Sequence, residues 1–174
     1  MDRSKKVGLL IEAFHNLVTF YPEAHLVLVG GGEEKEALEA QASELVKSGQ
    51  VEFMGWIWDP PKIADLYARS AFGILPSYIG LSVIQSLGNG VPLIYPENEI
   101  HSPEVEACQP GENSLTFSAN SAESLCAAMR SGLEDLDDWV ERRALIAKGV
   151  REHYTFEGMV ERTIWLIQMV YDKS

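Results

Sequence analysis

The chain of 174 residues has few cysteines and no long apolar run. Its two cysteines, Cys108 and Cys126, stand in no metal-binding spacing, so we expect reduced thiols rather than a disulfide framework or a metal site. No apolar segment approaches the roughly 18 residues of a membrane-spanning helix, and no signal peptide is recognisable. These absences favour a cytoplasmic chain and leave open a peripheral association of the full-length protein with a membrane.

Basic residues are also scarce, since 14 of them stand against 26 acidic residues, for a net charge of −12. Such a chain is poorly suited to bind nucleic acid or an anionic membrane, although a small local basic site could still hold an anion. The hydrophobic fraction of 46% is typical of a globular protein. The length fits one domain with a sizeable core.

Helical and strand-like segments alternate along the chain. The first helix is predicted by apolar residues at helical spacing, namely Val7, Leu10, Ile11, Phe14, Leu17 and Val18. The continuous apolar run over residues 24–30 predicts a buried parallel strand, and further strands are predicted over residues 51–55, 71–77, 91–96 and 114–118. Further helices are predicted over residues 33–49, 60–70, 81–90, 102–107, 121–135, 135–154 and 156–173. This order predicts an α/β fold with a Rossmann-like doubly wound parallel sheet, and ligands at the carboxyl ends of its strands.

No strand pattern precedes the first helix. A doubly wound unit normally opens with a strand that becomes central in its sheet. We therefore expect residues 1–174 to form a single domain that is a fragment of a longer protein and lacks this first strand.

Two loops after predicted strands could approach a nucleotide. The glycines that include Gly31 follow the first strand and would allow a close backbone approach, although the acidic residues after them also fit a plain turn. After the second strand, Gly55, Trp56, Ile57 and Trp58 could present an aromatic or backbone edge to a nucleobase. The alternative for this second loop is a capped turn with half-buried tryptophans.

The uncharged loop after the third predicted strand is the main candidate for an anion site. It runs through Ser77, Tyr78 and Ile79 to Gly80, and a helix begins near Leu81 or Ser82. Free N–H groups and the helix dipole at such a start can bind a phosphate, and Gly80 permits close approach. Gln85, one turn further, could hydrogen-bond ribose hydroxyls. The same run also fits a well-packed core segment without a ligand.

The remaining polar signals are few. Arg3, Lys5 and Lys6 form a basic cluster before the first helix, which either is merely solvated or binds a diphosphate. His101 follows the fourth strand, and we interpret it as a polar loop histidine rather than a catalytic one. No metal spacing or Ser-His-Asp pattern is present in the sequence.

Taken together, these segments resemble a known family. The order of "KKVGLLIEAF", "FYPEAHLVLVGGGEEKEALE", "VEFMGW", "ADLYARSAFGILPS", "GLSVIQSLGNGVPLI" and "PEVEACQPGENSL" resembles the C-terminal domain of family 4, or group 1, glycosyltransferases. These are retaining enzymes of the two-domain GT-B fold, of which this chain would be the C-terminal half. The resemblance covers nearly the whole chain, and it identifies the fold and family but not the donor sugar.

The resemblance implies roles for several residues. Lys5 matches the lysine that contacts the donor diphosphate, Gly55 to Trp58 match the loop that meets the nucleobase, and Gly80 to Ser82 match the helix start that cradles the distal phosphate. The candidate nucleotide-sugar site therefore comprises Lys5, Gly31, Gly55, Trp56, Ile57, Ser77, Tyr78, Ile79, Gly80, Leu81, Ser82 and Gln85. The resemblance implies no bound metal and no cofactor.

The chain departs from the family pattern at its paired glutamates. Gln85 takes the place of the second glutamate, and Ser77 stands eight residues earlier, where the first is expected. Ser77, or the backbone of Tyr78 and Ile79, would have to replace the first contact. The arginine that accompanies the family lysine is expected five residues before Lys5, which would fall just before Met1, and Arg3 could substitute for it only with the wrong spacing.

The implied activity is transfer of a sugar from a nucleotide-diphosphate donor with retention, in polysaccharide or glycolipid synthesis. Without the N-terminal acceptor domain, the isolated chain should bind nucleotide and transfer nothing. One alternative is a non-catalytic nucleotide-binding or scaffolding module, which the missing glutamates favour. A nucleotide-sugar 2-epimerase is disfavoured, because no carboxylate and histidine are paired for proton abstraction. The final helix, with Trp165 and Tyr171, suggests self-association.

Overall fold

The computed structural model describes residues 1–171, which form five strands and eight α-helices. The strands are β1 (Leu26–Val29), β2 (Val51–Gly55), β3 (Gly73–Ile74), β4 (Leu93–Glu97) and β5 (Ser114–Ser118). The helices are α1 (Val7–Leu17), α2 (Lys35–Gln41), α3 (Ser43–Lys47), α4 (Pro60–Arg69), α5 (Ser82–Gly88), α6 (Ala122–Glu134), α7 (Leu136–His153) and α8 (Phe156–Tyr171). Two short 3-10 turns cover Arg3–Lys5 and Pro103–Ala107. The predicted end of the final helix at Lys173 lies outside the described residues.

All strand pairs are parallel, and they fall into two hydrogen-bonded groups. One group has the order β1-β2 and the other the order β3-β4-β5. The predicted parallel α/β fold is confirmed, but its strands do not form one continuous ladder within residues 1–171.

Burial differs between the two groups of strands. In β4, Leu93, Ile94 and Tyr95 are all buried, as expected for a central parallel strand. In β1, by contrast, Leu26 and Leu28 are buried while Val27 and Val29 are 40% and 47% exposed. The expectation that β1 is buried on both faces is therefore wrong, because only one of its faces packs against the core.

Helices cover the strands on two sides. The buried face predicted for α1 is confirmed and packs against α6 in one core cluster, except that Val18 is only partly buried at its edge. On the other side α5 packs against α7, with Val83 and Leu87 in a second cluster beside Ile146 and Val150. Each such side chain contributes about 1.5–3 kcal/mol through burial. The two clusters fix the strands so that the loops after them share one edge.

The segment predicted as one helix over residues 33–49 is divided. It bends at Ala42, which is buried and separates α2 from α3. The bend keeps Leu38 and Leu45 in the same core cluster as Ala42. The prediction that this segment is helical is therefore confirmed, but the prediction of a single unbroken helix is wrong.

The C-terminal helix α8 is the least packed element. None of its residues is buried, and its exposed large apolar side chains include Ile164, Trp165, Leu166 and Ile167. No helix in the described part of the chain has both the length and the hydropathy needed to cross a membrane.

Candidate functional site

The N-terminal segment Met1–Lys6 crosses the carboxyl edge of the strands and contacts three loops. After β1, the N–H of Glu34 donates to the carbonyl oxygen of Met1 at 3.2 Å. After β3, the Lys5 Nζ lies 5.4 Å from the centroid of the Tyr78 ring. After β4, the Lys6 Nζ lies 2.5 Å from Oε1 of Glu99. This segment therefore joins loops that are far apart in sequence.

A capped turn gives the segment its shape. The Asp2 carboxylate accepts a hydrogen bond from the N–H of Ser4 at 2.8 Å and a second one from the Ser4 hydroxyl. These two bonds hold the pKa of Asp2 below its usual value. The 3-10 turn that follows ends at Lys6, whose backbone is left-handed with φ 48°.

The two basic residues of this turn face different loops. Arg3 lies 3.5 Å from Glu34, and its side chain is 91% exposed. Lys5 instead lies over the face of Tyr78, an arrangement in which a cation is attracted to the ring. Lys5, rather than Arg3, is therefore the cation beside the loop that leads into α5.

The loop after β2 begins at Gly55, whose φ of +68° suits glycine. The rings of Trp56 and Trp58 are stacked, with centroids 5.6 Å apart and planes 10° apart. Both side chains are largely exposed, and Ile57 between them is half-buried. The sequence prediction of half-buried tryptophans is therefore wrong.

The glycines after β1 lie against this aromatic loop. The N–H of Gly30 donates to the carbonyl oxygen of Gly55 at 2.7 Å. A Cβ at Gly31 would stand 2.7 Å from Nε1 of Trp56, so only glycine fits there without a shift of the indole. Gly31 and Trp56, which were predicted from separate loops, are thus brought together.

Ile79 fixes the loop after β3. Its side chain is fully buried, and its N–H donates to Nδ1 of His101 at 3.3 Å. Its carbonyl oxygen accepts a hydrogen bond from the N–H of Ser102 at 3.3 Å. Ser77 in the same loop is also buried, whereas Tyr78 is partly exposed. The backbone of Ile79 is therefore engaged by the protein itself.

His101 connects the ends of β3 and β4. Because its Nδ1 accepts from Ile79, the proton resides on Nε2, which donates to the carbonyl oxygen of Pro96 at 2.9 Å. The ring also packs edge-on against Tyr95 with centroids 5.7 Å apart. The prediction of a polar loop histidine agrees with this geometry, but the sequence carried no signal of its positioning role.

The start of α5 has free donors. Among the described residues, none accepts a hydrogen bond from the N–H of Gly80, Leu81 or Ser82. Gln85 is exposed one turn later, and its side-chain amide has no partner in residues 1–171. A Cβ at Gly80 would meet only the Tyr78 ring, at 3.9 Å, so the space in front of this backbone is open.

The structure offers neither a reactive thiolate at Cys108 nor a metal-binding group of side chains among residues 1–171. Burial raises the pKa of the Cys108 thiol to about 12, which leaves almost no thiolate near neutral pH. Within residues 1–171, no three His, Cys, Asp or Glu side chains are grouped so as to hold a metal ion. The site is therefore built from one lysine, backbone donors, an amide and aromatic rings.

The fold defines a Rossmann-like α/β domain of the GT-B class. The chain belongs to the group 1 glycosyl transferases, since the model of that family matches residues 1–135. The resemblance of the sequence motifs to this family is thereby confirmed.

Two curated relatives illustrate the match. The chain is 30% identical over 136 residues to the lipopolysaccharide core biosynthesis glycosyltransferase LpsE of Rhizobium meliloti, covering 74% of this chain and 38% of that protein. It is 26% identical over 176 residues to the mannosylfructose-phosphate synthase of Agrobacterium fabrum, covering 95% and 38%. The chain thus spans well under half the length of either relative.

Solved structures share the fold. TarM of S. aureus superposes with a TM-score of 0.81 at 15% identity, over 95% of this chain and 33% of TarM. The sucrose-phosphate synthase of Thermosynechococcus elongatus superposes with a TM-score of 0.77 at 23% identity, over 99% and 44%. At these identities the likeness concerns the fold alone.

Proposed function

We propose that this chain is the donor-binding part of a retaining glycosyltransferase that uses a nucleotide-diphosphate sugar. The main observation behind the proposal is that Lys5 lies over the ring of Tyr78. Tyr78 comes shortly before Gly80, Leu81 and Ser82, whose N–H groups are free at the start of α5. The Tyr78 ring also lies beside Gly80, so one cation and several free backbone donors adjoin the same ring. This combination suits a diphosphate, whose charge grows as it leaves the sugar.

Each predicted contact has a place in this proposal. Lys5 would neutralise the diphosphate, and the N–H groups of Gly80, Leu81 and Ser82 would bind its distal phosphate. The surface formed by Gly31 and the loop Gly55–Trp58 would receive the nucleobase. Gln85 would hydrogen-bond the ribose with its amide, without the charge that roughly doubles the strength of such a bond.

The names of similar proteins support the substrate class. TarM was solved with UDP, and the pneumococcal O-GlcNAc transferase GtfA was solved with UDP and GlcNAc. The curated relatives include the LpsE enzyme and an alpha-monoglucosyldiacylglycerol synthase of Acholeplasma laidlawii. For the whole protein we therefore propose a role in polysaccharide or glycolipid synthesis, completed by an acceptor-binding N-terminal domain.

A second candidate is a non-catalytic nucleotide-binding module. It is favoured by Ser77 and Gln85, which stand where the family resemblance places two glutamates, and by the burial of Ser77. An assay of the full-length protein for sugar transfer from a nucleotide-diphosphate donor separates the two candidates. Transfer with an unchanged anomeric configuration, measured by NMR, supports the retaining enzyme, and nucleotide binding without transfer supports the module.

The binding step is tested by calorimetric titration of the chain with UDP, GDP and ADP. We expect one of them to bind and Lys5→Ala to weaken it, because a hydrogen bond to a charged group contributes ~1.5–3 kcal/mol. Affinity should then fall about 10- to 150-fold. The matched control is Lys47→Ala, an exposed lysine paired with Glu44 on α3. Absence of binding to all three nucleotides at millimolar concentration would rule out the donor-binding proposal.

Several expectations stay predictions under this proposal. They are the cytoplasmic location, the peripheral membrane association, the absence of a cofactor and metal, and self-association through α8. Sedimentation of the chain at rising concentration tests the last of these. A monomer throughout would contradict self-association despite the exposed apolar residues of α8.

A further inference from the structure

Lys6 has a backbone conformation that is uncommon for its residue type. Its φ of 48° and ψ of 35° are left-handed, a region that costs a residue with a Cβ roughly 1–2 kcal/mol. Such a conformation persists only where the surroundings fix it strongly. Lys6 also lies between the turn that carries Lys5 and the first residue of α1. Something must therefore hold this junction in place.

The backbone of Lys6 is bonded on both sides, since its N–H donates to the carbonyl oxygen of Arg3 at 3.2 Å and its carbonyl oxygen accepts from the N–H of Leu9 at 3.0 Å. The Lys6 side chain is held by Glu99. The Lys6 Nζ and Glu99 Oε1 lie 2.5 Å apart although 93 residues separate them in sequence. The two side chains are only 27% and 22% exposed, unlike the surface pairs elsewhere on the chain. The other oxygen of Glu99 is buried and has no hydrogen-bond partner among the described residues. Lys6 is therefore the sole cation that compensates this partly buried carboxylate in residues 1–171.

The pair connects two parts of the proposed site. Glu99 belongs to the loop after β4, which also carries His101 and so supports the loop after β3. Lys6 is the covalent neighbour of Lys5, and Lys5 lies over Tyr78 of that same β3 loop. A displacement of Lys6 would rotate the turn and move Lys5 away from Tyr78.

We propose that Lys6 and Glu99 form a positioning pair that holds Lys5 at the diphosphate site. This inference rests on the proposed donor-binding function, and it assigns to Glu99 and Lys6 roles that touch no ligand. Lys5 contacts the diphosphate, Lys6 anchors the turn, and Glu99 fixes Lys6 against the β4 loop. The left-handed strain at Lys6 is offset by this ion pair.

Glu99→Gln is the decisive variant, because a positioning role and a purely electrostatic role predict opposite changes in nucleotide affinity. The substitution removes a negative charge near the site and releases the Lys6 cation, so electrostatic attraction alone would tighten diphosphate binding. A positioning role predicts weaker binding, by up to about fivefold, which is the upper range for the loss of one ion pair. The measurement is calorimetric titration with the nucleotide that the parent chain binds.

Two further variants complete the design. Lys6→Gly relieves the left-handed strain but leaves the Glu99 carboxylate without its cation, so these two effects on stability oppose each other. It should bind the nucleotide diphosphate more weakly than the parent. In a Lys5→Ala background, Glu99→Gln should have no further effect on affinity, since it acts through Lys5. The control is Glu44→Gln, which breaks an exposed pair with Lys47 on α3 and should change neither binding nor exchange.

Amide hydrogen exchange of the ligand-free chain tests the pair independently of nucleotide binding. We expect the amides of residues 3–9 to exchange faster in Glu99→Gln and in Lys6→Gly, but not in Glu44→Gln. Unchanged exchange in both variants would overturn the pair even if nucleotide binds as proposed. Faster exchange with unchanged or tighter nucleotide binding would overturn the positioning role. A parent chain that binds no nucleotide defeats the proposed function, and this inference with it.

Discussion

The loop after β2 and the loop after β3 lie at the same edge of the fold, but the protein holds them differently. In the first loop, Trp56 and Trp58 are 65% and 80% exposed and pack mainly on each other and on Gly31. In the second, Ser77 and Ile79 are 2% and 0% exposed. His101 and Ser102 hold the backbone of Ile79 from both sides.

The difference suits the two ends of a nucleotide sugar. A diphosphate is stabilised best by donors that are already fixed before it binds, which the β3 loop provides. A nucleobase presents a flat face that an exposed aromatic surface can meet with less exact geometry. Substitutions of the buried side chains in the β3 loop should therefore change the stability of the fold, and substitutions of the exposed tryptophans in the β2 loop should mainly change binding.

The largest effect is expected from Ile79→Ala. This change opens a cavity in the second core cluster and should lower the free energy of unfolding by about 2–5 kcal/mol. Urea unfolding measures the loss, and Leu81→Ala is the matched control because Leu81 is exposed in the same loop. If both variants lose a similar free energy of unfolding, the buried side chain of Ile79 does not fix the β3 loop as proposed.

A smaller loss is expected from His101→Ala. It leaves the N–H of Ile79 and the carbonyl of Pro96 without their partner, at a cost of ~1–3 kcal/mol. Faster exchange of the Ile79 amide, measured by NMR, should accompany the loss. His25→Ala serves as control, since His25 bonds a carbonyl far from this site. An unaltered Ile79 amide would contradict the proposed support.

The two site glycines should respond in opposite ways. Gly55→Ala should cost roughly 1–2 kcal/mol of stability, because φ at Gly55 is +68°. Gly80→Ala should leave stability nearly unchanged, since its Cβ has open space, but it should weaken diphosphate binding. Thermal unfolding and calorimetry on both variants make the comparison. A strongly destabilised Gly80→Ala variant would show that the space in front of the Gly80 backbone is not open.

The smallest change in stability is expected from Trp58→Ala. An exposed ring contributes little to folding, so the free energy of unfolding should move by less than about 0.5 kcal/mol. Nucleotide affinity should nevertheless fall if the loop meets the base, whereas Trp165→Ala on α8 should leave it unchanged. Loss of stability above 1.5 kcal/mol, about three times the expected limit, would mean that the β2 loop is as tightly fixed as the β3 loop.

Local patterns in the sequence were sufficient for the order and type of most elements. The spacing of Leu10, Ile11 and Phe14 predicted the buried face of α1, and the parallel order predicted the ligand edge. The Lys6–Glu99 pair escaped prediction because no local pattern links residues so far apart. The support given by His101 escaped for the same reason, since a lone histidine has no distinctive spacing.

Some local features were misjudged for a different reason. The run from Leu26 to Val29 looks like a strand buried on both faces, because apolarity alone does not show which neighbours cover it. The bend at Ala42 likewise depends on how α2 and α3 fit the core. The burial of a strand and the end of a helix depend on which residues pack against them in the fold. A short stretch of sequence does not contain that information.

The separation of the strands into two hydrogen-bonded groups has a mechanical consequence. Within residues 1–171 no strand of one group is hydrogen-bonded to a strand of the other, so the core cluster that contains α1 and α6, together with the contacts of the N-terminal segment, connects them. A parallel ladder under shear must lose several hydrogen bonds at once, whereas an apolar interface yields gradually. If force is applied between β2 and β5, the two strand groups should separate at a lower force than is needed to pull apart the strands within either group.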